Sequence, residues 1–102
     1  MSGRRMIHPG SGLQITVRDH DRERWVALGD MKDAIPSWQW TPIMAMPSAR
    51  RVLARREFVA TRVARRWADD LETKQFKQQS AAVHALIDWA EAADLEVHRV
   101  AA

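Results

Sequence analysis

Between residues 49 and 66 the chain carries seven Arg and a single Glu, a local charge of +6. Read as one helix at about 100° per residue, the segment places Arg51, Arg55, Arg62, Arg65 and Arg66 on one side, with Phe58 among them. A guanidinium is planar, permanently charged, and presents its donors in a fork that matches a phosphate. Such a face would follow a phosphate backbone, with an affinity that falls as salt rises. An exposed Phe58 would stack on a base or wedge into a step. Arg4 and Arg5 could add contacts from the other end of the chain. The arginines also have an internal reading. Residues 67–96 hold seven acids and two Lys, a charge of −5. Asp69, Asp70 and Glu72 would then pair with the Arg face, or the face would simply be solvated.

Other chemistry has less support. His84 and Asp88 stand four residues apart, with Glu91 a turn on, a spacing that could hold a divalent ion. One imidazole with two flexible carboxylates is better read as a helix surface, so no metal or other cofactor is expected. The serines (Ser2, Ser11, Ser37, Ser48, Ser80) occupy no nucleophile elbow. Of four Gly, three fall within the first twelve residues, which leaves no phosphate-binding glycine loop. Asp19, Asp21 and Glu23 crowd what reads as a charged hairpin turn. No enzymatic activity is expected. The chain has no Cys, which excludes disulfides and thiolate chemistry and fits a reducing cytoplasm. It has no apolar run of membrane-spanning length, so no membrane partner is expected.

Five tryptophans remain. Trp67 and Trp89 fall on apolar helical arcs and read as core. Trp38 and Trp40, with Met44 and Met46, sit in an irregular Pro-rich stretch. They either plug one end of the core or form an apolar contact surface, for which aromatics and Met are suited.

These side chains need elements to place them. Residues 1–12, rich in Gly, Pro, Ser and Arg, read as a flexible basic tail, and residues 13–102 as a single domain of a size for one modest core. Leu13-Gln-Ile-Thr-Val-Arg18 alternates, and residues 24–28 return as a second strand, so the two form a hairpin. Gly29 frees the backbone, Asp30 is an N-cap candidate, and a short helix over 31–35 stops at Pro36. Residues 36–47 read as a structured loop. Ser48 would cap a long helix over 49–71, with Arg56 caught in its apolar arc and obliged to snorkel or pair. A second long helix covers 75–93, and residues 95–100 alternate as a closing strand. The expected fold is α+β: a small antiparallel sheet, built from an N-terminal hairpin and a C-terminal strand, with a short helix and two long helices packed on it.

The run Trp25-Val-Ala-Leu-Gly-Asp30-Met-Lys-Asp-Ala-Ile35 resembles the start of the Bro-N type domain of phage antirepressors. In that family a hairpin delivers a Trp, an Asp opens a helix, and the helix packs on the hairpin. The Trp, the Asp, the Ala and the closing aliphatic fall in register, while Val26 stands where the family usually has an aromatic. The match covers residues 15–35. Trp25, Leu28, Gly29 and Asp30 are also similar to a helix start in the phage recombination protein NinB. Both resemblances imply a mobile-element protein associated with DNA.

Two expectations follow. The first is a small DNA-binding or DNA-associated regulatory protein, contacting duplex DNA through Arg51, Arg55, Arg62, Arg65, Arg66 and Phe58. The second is a non-enzymatic inhibitor or adaptor, docking an acidic protein or a second copy of itself through Trp38, Trp40, Met44 and Met46 or through a sheet edge.

Overall fold

Two tight two-residue turns, Asp21-Arg22 and Ala54-Arg55, fold much of the sheet of this molecule. The computed structural model describes residues 2–35 and 50–95. Strand β1 (Ser2–Ile7) pairs antiparallel with β2 (Gln14–His20), from Ser2 opposite Asp19 to Ile7 opposite Gln14. Asp21 and Arg22 then turn the chain into β3 (Glu23–Ala27), and β3 runs directly into helix α1 (Leu28–Ala34). A second hairpin, β4 (Arg50–Leu53) and β5 (Arg56–Ala60), adds to β3 through β5. Helices α2 (Thr61–Thr73) and α3 (Lys77–Ala92) complete the described residues. The strand order is β1-β2-β3-β5-β4, all antiparallel, so the fold is α+β as expected.

Cross-strand partners share a face, so the register sorts the side chains. One face carries Ile15, Val17, Val26 and Val59, all fully buried. Arg24 lies on that face too, and its Nη1 donates to the carbonyls of Ala90 and Ala93 at 2.5 and 2.8 Å. That contact seats the C-terminal end of α3 over it. The opposite face carries Thr16, Ala27, Arg56 and Phe58 beside α1. There Asp30 accepts from the Thr16 backbone N–H and from Arg56 Nη2, both at 2.8 Å. Arg56, expected to pair or snorkel, pairs.

Several expectations need correction. Residues 2–7, expected within a flexible tail over 1–12, form β1, an outer strand of the sheet. The segment 49–71 is no single helix but β4, β5 and the first part of α2. Val52, Phe58 and Val59 favour strand, and Ala54 and Arg55 hold φ of 49° and 69°. Positive φ at both central residues is what a two-residue hairpin loop requires, and no helix can run through it. Asp30 is not an N-cap: it sits in the first turn of α1, and Ala27 occupies the cap position. Phe58 is 1% exposed. All but Leu95 of the strand expected over 95–100, and the loop holding Trp38, Trp40, Met44 and Met46, lie outside the described residues.

Helix α2 ends on Gln75, at φ 70°. The N–H of Phe76 donates to Leu71 O at 2.8 Å and that of Gln75 to Glu72 O at 2.9 Å, the Schellman pattern. The chain thus reverses, and α3 packs along α2. Ser80 Oγ donates to Ala68 O at 2.7 Å inside that interface.

Candidate functional site

The split of residues 49–71 between hairpin and helix distributes the arginines over the molecule. Arg51 is on β4 and Arg55 in the β4–β5 turn; Arg62, Arg65 and Arg66 are on α2. They form no continuous helical stripe. Phe58 is on the opposite register face from Val59, buried, and unable to reach a base.

Three of the five are paired with acids. Arg51 Nη1 lies 3.2 Å from Asp21, and Arg62 Nε donates to Glu23 at 2.6 Å. Arg65 Nη2 donates to Asp88 at 2.7 Å and also to Glu91, which accepts from the Thr61 hydroxyl as well. The hydrogen bond to Glu91 raises the Arg65 pKa and, from the other side, holds the Glu91 carboxyl below its ordinary value. The pairing acids are therefore Asp21, Glu23, Asp88 and Glu91. Asp69, Asp70 and Glu72, the expected partners, do not serve: Asp69 meets His84 at 3.3 Å and Asp70 meets Lys74 at 3.1 Å. Asp88 and Glu91 are thus engaged by Arg65 and His84 faces Asp69, and no group of three metal-ligating side chains occurs among the described residues.

A second set of arginines is open. Arg4 and Arg5 on β1, Arg22 in the β2–β3 turn, Arg55 and Arg66 are exposed, and none forms a side-chain ion pair among the described residues. Two of the five occupy turns at positive φ, Arg22 at 63° and Arg55 at 69°. Arg18, on the same face of β2 as Thr16, is half-buried, and its Nε is buried with no hydrogen-bond partner.

Arg18 and Arg24 were not expected to matter. Arg24 donates to Asp19 at 2.6 Å as well as to the α3 carbonyls, joining hairpin to helix. The alternation of residues 13–18 already set Arg18 on the polar side of its strand, which was the available signal. The strand that lies beside it was read as a tail.

At the other edge of the sheet, β4 presents Val52, 66% exposed, in a shallow depression with Arg50, Arg51 and Glu57. Among the described residues no helix is long and apolar enough to cross a membrane. Comparison of the chain with protein-family models, curated proteins and solved structures finds no match.

Proposed function

We propose that the protein is a small, non-enzymatic DNA-associated regulatory protein that contacts the phosphate backbone of duplex DNA. The observation that carries this reading is the set Arg4, Arg5, Arg22, Arg55 and Arg66: exposed guanidiniums with no acid engaged among the described residues. A paired surface arginine gains little by its pair and can exchange it for a phosphate, so Arg51 and Arg62 are a reserve of further contacts. The net charge of +3 favours a polyanion. The resemblance of residues 15–35 to phage domains associated with DNA points the same way. Contacts of this kind give affinity and position without base choice.

The test is fluorescence anisotropy of a labelled duplex with the Arg55→Ala/Arg66→Ala variant. It binds unrelated sequences more weakly by a similar factor, with a flatter salt dependence. Wild-type affinity in that variant, and in Arg4→Ala/Arg5→Ala, removes the open arginines from the account.

A second reading rests on β4. It is an outer strand with Val52 exposed, and an extended segment of a partner protein could add to that edge. Val52→Lys would abolish such docking and leave binding to DNA intact.

A further inference from the structure

On the Thr16 face of the β1–β2 ribbon no strand position is an acid. Its cross-strand positions are Gly3, Arg5 and Ile7 on β1 and Gln14, Thr16, Arg18 and His20 on β2. The nearest carboxylates are committed. Asp30 is bound by Arg56 and the Thr16 N–H, Glu23, opposite His20 on β3, is bound by Arg62, and Asp21 faces His20 and Arg51. Arg5 stands opposite Thr16, two residues from Arg18 on the same face, so the two arginines are diagonal neighbours at about 7 Å. Both side chains can span that distance.

Arg18 is the unusual member. Gly3 lies opposite it, and a Cβ at Gly3 would come within 2.9 Å of Arg18 Cγ and Nη1. The side chain therefore lies across the outer strand on a bed that only glycine leaves open. Its Nε is buried there without an acceptor. A charged donor withdrawn from water and left unmatched is costly, and native structures normally supply the missing partner. Two like charges side by side, with the neighbouring carboxylates already paired elsewhere, call for the same thing, an anion.

We infer that Arg5 and Arg18 form a clasp for one phosphate group, with Gly3 as its floor and His20 at its rim. Two guanidinium forks converging on three oxygens match a phosphate better than a single carboxylate. The inference deepens the DNA reading and rests on it for the source of the group, a phosphate of the nucleic-acid backbone rather than free phosphate. The clasp would fix where the duplex crosses the ribbon, while the scattered open arginines supply affinity.

The arginine Nε–Hε signals in the nitrogen–proton correlation spectrum of the whole chain test this. Inorganic phosphate is titrated at constant ionic strength against chloride, then a short duplex. The Arg18 signal should move and saturate with both phosphate and duplex, and not with chloride. Arg5→Ala, a change at an exposed position, should weaken the phosphate response several-fold. Gly3→Val, which crowds the Arg18 side chain, should do likewise; tryptophan fluorescence confirms that each variant is folded. A static Arg18 signal in both titrations, or the same shift with chloride, overturns the clasp. If Arg18 stays static while anisotropy still shows salt-dependent duplex binding, the clasp fails and the DNA reading stands. If Arg18 answers phosphate and no duplex binds, the clasp holds for free phosphate and the DNA reading fails.

Discussion

At the scale of single residues, function and strain meet in the turns. Ala54 and Arg55 hold the left-handed conformation that a side chain disfavours by about 1–2 kcal/mol per residue. Gly or Asn would serve the turn better. Ala54→Gly should raise the unfolding free energy by about 1 kcal/mol, read from a urea curve. No gain would mean that the turn is not strained. His8 offers a second test. It is 8% exposed, lies edge-on to Trp89 at 5.0 Å, and its Nδ1 is 2.9 Å from the Ser11 hydroxyl. Burial pushes its pKa below the ordinary value. The unfolded chain therefore takes up a proton before the folded one does. The stability that neutral His8 supports is complete above the unfolded pKa of about 6.5 and is lost as pH falls through the depressed folded one. Wild type should thus lose stability from pH 7.5 to 5.5, and His8→Asn should lose less. An equal loss in both would remove His8 as the cause.

At the scale of elements, Arg24 joins the sheet to the helices. Its guanidinium holds Asp19 and the last carbonyls of α3, where a cation also opposes the helix dipole. Arg24→Ala should cost about 2 kcal/mol, because it strands a half-buried carboxylate and two carbonyls. Arg24→Lys should recover little, since an ammonium cannot serve both sides at once. Full recovery by Lys would show that charge alone suffices. The same scale decides what could be read in advance. The β2–β3 hairpin, the strand-to-helix order after it and the existence of helix α3 were legible from the alternation of residues 13–18, from Pro36 and from the apolar residues of 76–93, although Asp30 is not the cap. The β4–β5 hairpin was not. Its loop is Ala54-Arg55, without the Gly, Asn or Asp that announces such turns, and its residues also fit a helical arc. That one misreading assembled Arg51, Arg55, Arg62, Arg65 and Arg66 into a stripe and exposed Phe58. β1 was missed because Gly3, Arg4 and Arg5 carry no apolar alternation and stay exposed; pairing with β2 orders the strand.

For the whole molecule, the sheet is laid between α1 and the α2–α3 hairpin, and arginine is used in two ways. Arg24, Arg56 and Arg65 bind elements to one another, each matched to named acids. Arg4, Arg5, Arg22, Arg55 and Arg66 face solvent with no such match among the described residues. The second group can serve a polyanion without loosening the fold, and the proposed function depends on that division. The most direct measurement is the salt dependence of wild-type binding to a random-sequence duplex by fluorescence anisotropy. With four or five phosphate contacts, log K should fall against log salt with a slope of about −4. A duplex left unbound at low salt, or bound with no dependence on salt, would contradict phosphate contact by the open arginines.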